Sequence, residues 1–301
     1  VAKLASEGPS DPSAEAAASA GPPGLILVAT PIGHLGDFSP RALATLRAAD
    51  TILCEDTRVT GGLLVKHGLS VTMLPLHEHN EDAQIPRVLE RLRGGQRLAL
   101  VADAGTPLVS DPGFRLVRAV IEAGLPVSAV PGPSAAVMAL TLSGLPPHPF
   151  LFLGFLPPKA AARAAEIARL RAAERAGLAA TLIVYEAPHR LAEALAGLAE
   201  GLGATRPAAV ARELTKRFEE VRRDSLGALA AHYAAEPVRG EVVVVIGPPL
   251  PEVTSAATLD ERLRVALGAG LSLRDAAATV AEATGLPRRQ VYGRALELAG
   301  T

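Results

Sequence analysis

Short, nearly continuous apolar runs at residues 25–29, 51–54, 97–102 and 126–130 alternate with longer stretches that carry apolar side chains at helical spacing. The runs are only a few residues long and rich in Leu, Ile, Val and Ala, so they predict strands. Residues 40–49, 85–93 and 113–123 predict helices between them. Strands that lack polar alternation, each followed by a helix, predict a parallel sheet covered on both faces.

The pattern changes after the proline-rich break near Pro147. Residues 150–155, 181–186, 208–213 and 241–246 read as strands, and 160–176 and 191–202 as helices. A further short strand at 217–222 is placed to form a hairpin with 208–213, which makes this second sheet mixed. Beyond Gly247-Pro-Pro-Leu-Pro251 the chain from Thr258 onward is helical. Ser272 and Asp275 stand at capping-box-like spacing, Gly285 marks a turn, and Arg288, Arg289 and Arg294 follow. That order fits a helix-turn-helix presenting cations to phosphates and, equally, a plain helical hairpin. The expected organisation is a disordered tail at 1–24, α/β domains at 25–146 and 147–248, and a helical, helix-turn-helix-like module at 255–301.

Composition narrows the function classes. Hydrophobic residues make up 49% and aromatics 3%, with no Trp, so the core has to be aliphatic. The single cysteine, Cys54, excludes a disulfide framework and fits a reducing, cytoplasmic setting. A formal net charge of -1 excludes a uniformly basic nucleic-acid coat but leaves a local basic face open. The long uncharged stretch from Ala123 to Pro158 is interrupted by Gly and Pro too often to cross a membrane, and no signal-peptide core is present near the start. Only four of the 30 basic residues are Lys, namely Lys3, Lys66, Lys159 and Lys216, which draws attention to those that lie near polar motifs.

The first four predicted strands each lead into a loop suited to ligand contact: Thr30-Pro-Ile-Gly-His-Leu-Gly-Asp37, Glu55-Asp-Thr-Arg58, Asp103-Ala-Gly-Thr-Pro107 and Pro131-Gly-Pro-Ser-Ala135. One such loop is ordinary turn chemistry, but four in succession predict a ligand site outside the carboxyl ends of the strands. There is no Gly-x-Gly-x-x-Gly after the first strand and no Gly-Lys-Ser/Thr, so hydride transfer and NTP hydrolysis lose ground. His77-Glu-His79 on a strand would present two imidazoles to one face, but no further ligand stands at metal spacing, and no metal is expected. Glu55-Asp56-Thr57-Arg58 reads either as an ion pair capping the next helix or as Arg58 on a phosphate with Asp56 near a reacting group. Tyr185-Glu186-Ala-Pro-His189-Arg190 and Arg212-Glu213-Leu-Thr215-Lys216 follow the same logic in the second half, and Lys159 stands near the junction. Polar strand ends in both halves predict one shared cleft.

Taken in order over residues 25–247, these segments, with His77-Glu-His-Asn-Glu81, Ser110-Asp-Pro-Gly113 and Gly154-Phe-Leu-Pro, resemble the bacterial ribosomal RNA small subunit methyltransferase I family of the tetrapyrrole methylase (class III) superfamily. Corrin and diphthamide enzymes of that superfamily share only the Asp-Ala-Gly-Thr-Pro-like and Pro-Gly-x-Ser-like parts. The resemblance implies two α/β domains with S-adenosylmethionine in the cleft between them, and 2′-O-methylation of a cytidine ribose in the decoding region of 16S rRNA. It also implies a homodimer acting on the small ribosomal subunit. Carried over residue by residue, Pro31, Gly33, Asp103, Ala104, Gly105, Thr106, Ser134, Ala135, Tyr185, Ala211 and Arg212 line the cofactor site. Arg58, His79, Lys159, Arg190, Lys216, Arg288 and Arg289 are assigned to RNA. Asp56, His79 and Glu186 are the candidates for removing the hydroxyl proton. His34, where the family has Asn, and Ala102, where it has Ser, depart from the pattern.

Overall fold

A computed structural model describes residues 23–236, 238–250, 256–284 and 286–299. Most of the expected tail at 1–24, and the turn residue Gly285, lie outside them. The described residues up to Pro248 pack as one compact unit and those beyond it as a second.

The first unit holds two five-stranded sheets. Strands β1 (Gly24–Val28), β2 (Thr51–Cys54), β3 (Met73–Pro75), β4 (Arg97–Val101) and β5 (Val127–Val130) form one sheet in the order β3-β2-β4-β1-β5. All its pairings are parallel, as the unalternating apolar runs predict. Its two faces are covered by separate aliphatic clusters, one around Val28, Leu46 and Ile52, the other around Leu25, Leu98 and Leu116. Parallel strands joined by helices bring the β1, β2, β4 and β5 carboxyl ends, and their polar loops, to one edge.

Strands β6 (Phe150–Phe155), β7 (Thr181–Glu186), β8 (Pro207–Arg212), β9 (Glu220–Ser225) and β10 (Val242–Ile246) form the second sheet in the order β6-β7-β10-β8-β9. Only β6 and β7 run parallel; the other pairings are antiparallel, so the sheet is mixed. Its centre is the Val-Val-Val-Val-Ile run of β10, buried at every position. The hairpin strand starts three residues later than the pattern predicts. Glu213 and Thr215 adopt positive φ in the turn that precedes it, and that turn uses the intervening residues.

Four elements escape the sequence pattern, each for a physical reason. Helix Thr57–Lys66 contains Gly61 and Gly62, poor helix formers, and starts because the Asp56 side chain accepts from the Arg58 N–H. Helix Ala135–Ser143 is apolar all round and so lacks a helical stripe; residues on it pack with Ile183, Ala209 and Val245 of the second sheet. Helix Leu226–Ala235 is similarly apolar and capped by Ser225. Strand β3 is three residues long and sits at the sheet edge, where its proline costs no ladder bond.

The second unit contains three helices, Ala256–Gly268, Leu273–Thr284 and Arg288–Ala299, around Leu259, Leu263, Val280 and Val291. Ser272 caps the second helix: the Asp275 N–H donates to Ser272 Oγ at 3.2 Å, and that hydroxyl donates to the Asp275 carboxylate at 2.6 Å. Arg294 departs from its predicted phosphate role. Its guanidinium donates through two nitrogens to Asp260, each at 2.6 Å, and ties the third helix to the first.

Candidate functional site

The loops after β1, β4 and β5 are stitched together by backbone. The Thr30 N–H donates to Gly105 O at 2.9 Å and the Gly105 N–H donates back to Thr30 O at 3.1 Å. Thr30 Oγ1 donates to Ala102 O and Thr106 Oγ1 to Pro133 O. Gly105 adopts φ +83°, and an added Cβ there would stand 3.3 Å from Ile32 Cγ2, so both conformation and space require glycine. Ala102 contributes its carbonyl to this network, which explains how the sequence tolerates a residue without a hydroxyl. His34 is used locally: its Nδ1 accepts from the Gly36 N–H, and its own N–H donates to Thr215 Oγ1.

These loops form one wall of a cavity of about 400 Å³. The opposite wall comes from the second sheet, through Tyr185 and Glu186 at the end of β7, Ala211 in β8, and Gly240 and Glu241 ahead of β10. Of the residues carried over for the cofactor, Asp103, Ala104, Gly105, Thr106, Ser134, Ala135, Tyr185 and Ala211 line it together. Pro31, Gly33 and Arg212 do not. Gly33 instead lets the β1 loop approach the second-sheet turn, since a Cβ would meet Lys216 Cγ at 2.5 Å. Arg212 pairs with Glu220 across the β8–β9 hairpin at 2.9 Å.

Three proton-acceptor candidates occupy different places. Asp56 caps a helix and receives the Arg58 guanidinium at 2.6 Å, which holds its carboxyl down at about 2 and leaves it a weak base. The capping reading of this motif is the one the structure carries, and Asp56 is not part of the cavity lining. His79 lies in an exposed turn rather than on a strand, edge-on to His77. Among the described residues no group of three His, Cys, Asp or Glu is placed to hold a metal. Glu186 lines the cavity and is 3% exposed. One carboxylate oxygen accepts from the Ala187 N–H and pairs with Arg190 at 2.6 Å, while Oε2 has no hydrogen-bond partner.

The cations proposed for RNA divide likewise. Arg190 is drawn into the Glu186 pair. Lys216 Nζ donates to Glu213 and Glu241, both at 2.9 Å, and so braces the cavity rim. Arg58 is 89% exposed despite its pairing, and Lys159, Arg288 and Arg289 are also exposed.

Asp111 lies outside the carried-over site, although it belongs to the quoted Ser110–Gly113 segment. It lines the cavity, half-buried, on a loop where Leu108 and Ser110 both adopt φ near +70°. Such conformations cost a non-glycine residue roughly 1–3 kcal/mol and persist where surrounding structure imposes them. Burial, with the charges of Glu55 and Asp103, pushes the Asp111 carboxyl up to about 7. Burial also raises Asp103, whose carboxylate accepts the Asp56 N–H. Among the described residues no Lys or Arg lines the cavity, whereas Asp103, Asp111, Glu186 and Glu241 do.

A model of the Tetrapyrrole (Corrin/Porphyrin) Methylases matches residues 24–230. The chain belongs to the tetrapyrrole methylase family. Residues 253–299 of this methylase match the model of the RsmI C-terminal HTH domain. The chain is 49% identical to Ribosomal RNA small subunit methyltransferase I of Mesorhizobium japonicum, over 93% of either chain. It is 47% identical to the Xylella fastidiosa protein of that name, over 89% of this chain and 97% of the other. In fold it is similar to the methyltransferase CobJ, with TM-score 0.56 and 21% identity over 75% of this chain and 94% of that one. No helix among the described residues is long and apolar enough to cross a membrane.

Proposed function

We propose that this methylase transfers a methyl group from S-adenosylmethionine to a ribose 2′-hydroxyl of a cytidine in 16S rRNA, on the small ribosomal subunit. The observation that carries the reading is the cavity's charge. Asp103 and Asp111 line it without an ion pair, and no Lys or Arg lines it among the described residues, so it suits a positively charged ligand, while the backbone rim around Gly105 suits an adenosine moiety held by main-chain groups. S-adenosylmethionine supplies an activated methyl group on a sulfonium. Asp103, with Ala104 to Thr106, Ser134, Ala135 and Tyr185, would hold it. What the chain must add is alignment of the acceptor oxygen and a destination for its proton.

RNA as acceptor is supported by relatives that bear that name and by the helix-turn-helix match. Phe155, 54% exposed on the cavity lining and edge-on to Tyr185, offers an aromatic face to an unstacked base. A homodimer belongs to the same reading. Val137, Phe150 and Leu151 are exposed apolar side chains that a second copy would cover, and light scattering on the purified protein tests this. The decisive experiment incubates small subunits lacking the modification with labelled S-adenosylmethionine and maps the methylated nucleotide. A 2′-O-methylcytidine in 16S rRNA is expected; subunits that stay unlabelled while an added tetrapyrrole is methylated would overturn the reading.

A further inference from the structure

We propose that Asp111 is the catalytic residue that takes the proton from the ribose hydroxyl as it is methylated; this rests on the proposed function above. The hydroxyl oxygen forms the new O–C bond as the C–S bond breaks and that bond's electron pair stays on sulfur. The proton passes to an Asp111 carboxylate oxygen and then to solvent.

Asp111 differs from every other acid at the cavity in having no hydrogen bond or ion pair to its carboxylate among the described residues. Glu186 holds Arg190 and the Ala187 N–H, Glu241 holds Lys216, and Asp103 accepts from the Asp56 N–H. An acid already engaged in this way gains little from a further proton. Asp111 also has a reason to accept one. The charges acting on it are Glu55 beyond β2 and Asp103 beyond β4, and Tyr185 and Glu186 at the end of β7 and Glu241 ahead of β10 share the cavity lining with it. Burial, with the repulsion of Glu55 and Asp103, holds its carboxyl near the pH at which a base is both unprotonated and able to accept. The left-handed backbone at Leu108 and Ser110 fixes the loop that presents it. The buried, unpartnered Glu186 Oε2 on the opposite wall marks the same space as one that a polar ligand completes.

The test uses Asp111→Asn, which keeps the shape and removes the basicity, with Glu55→Gln as a second variant. Single-turnover methylation of unmodified small subunits is followed from pH 5.5 to 9, S-adenosylmethionine binding by calorimetry, and the melting temperature of the protein alone over pH 4 to 8. The wild-type rate is expected to rise with pH and level off above about 7. Asp111→Asn is expected to be slower by roughly 100-fold or more at saturating S-adenosylmethionine and to lose that rise, with any weakening of cofactor binding much smaller than the loss of rate. In Glu55→Gln the midpoint should move to lower pH, because one repelling charge is gone. The melting temperature gives a readout independent of turnover. A carboxyl raised in the folded state contributes stability that is full below its unfolded value and is lost as pH rises through the folded one, between about 4 and 7 here, and Asp111→Asn should flatten that decline. A variant rate near wild type with the same pH profile, or a rate lost only in step with cofactor affinity, overturns the assignment while leaving the methyltransferase reading intact. Wild type that binds S-adenosylmethionine yet leaves the subunits unmethylated overturns both.

Discussion

Asp103 and Asp111, on loops of the parallel sheet, face the cavity with no Lys or Arg paired to either among the described residues. Across the same space Glu186, Glu213 and Glu241, beside the mixed sheet, are each held by Arg190 or Lys216. Farther from the cavity the mixed half goes further: Glu174 and Arg206 form a 2.6 Å ion pair with both side chains almost wholly buried. Paired acids build walls, since each partner cancels the other's cost of leaving water. Unpaired acids keep their charge for a ligand and carry that cost while the cavity is empty. The two halves of the cleft therefore divide the work, with one rigid and neutralised wall and one charged and receptive.

The sharpest break of that comparison is Arg206→Met. It leaves buried Glu174 with only the more distant Arg171 guanidinium, at 3.8 Å, and removes the 2.7 Å bond from Arg206 Nε to the Gly247 carbonyl. A loss of about 3–5 kcal/mol is expected in urea denaturation, most of it recovered in the double variant with Glu174→Leu. A single-variant loss below about 1 kcal/mol would mean the pair is not structural. Next comes Asp103→Arg on the receptive wall. Here the fold should persist, with a melting temperature within a few degrees of wild type, while S-adenosylmethionine affinity falls at least about 100-fold, roughly 3 kcal/mol. Normal affinity in that variant would remove the carboxylate wall from the site.

Lys216→Met tests the boundary between the walls. Its partners are partly exposed, so a stability loss of only about 1 kcal/mol is expected. The Lys216 ammonium holds the Glu213 carboxyl below its ordinary value, so the contribution is present above about 4.5 and is lost as pH falls through the lowered folded value. The melting difference between wild type and variant should accordingly shrink on acidification. A difference that grows at low pH would contradict the pairing.

The parallel sheet was legible because β1, β2 and β4 bury both faces and therefore read as unbroken apolar runs, and the site because the loops after β4 and β5 carry polar residues that line the cavity. Helix Ala135–Ser143 was not legible: apolar on its exposed face, at Val137 and Met138, as well as on its buried one, it has no stripe, and its apolar run matches a strand as well as a helix. Asp111 illustrates the same limit at the site. Its neighbours Glu55 and Asp103 are 56 and eight positions away in sequence, and only folding brings their charges together. At Arg190 and Lys216 a cation near a polar motif looks the same in sequence whether it meets a phosphate or a carboxylate of its own chain.

The C-terminal module extends the comparison to cations and gives the smallest expected effect. Arg294 is neutralised by Asp260 and Glu297 and acts as a strut. Arg288 and Arg289, exposed at the start of the same helix, have no ion pair among the described residues. If unpaired charge is kept for a ligand here too, these two arginines meet RNA phosphates and release counterions on binding. Each phosphate neutralised on single-stranded RNA adds about 0.7 to the slope of log affinity against log salt, so Arg288→Gln with Arg289→Gln should make that slope shallower by roughly 1.4. Affinity at moderate salt should fall by a few-fold, and S-adenosylmethionine binding should stay the same. A reduced affinity with an unchanged slope would assign both side chains to packing, and the rule drawn from the cavity would then hold for its acids alone.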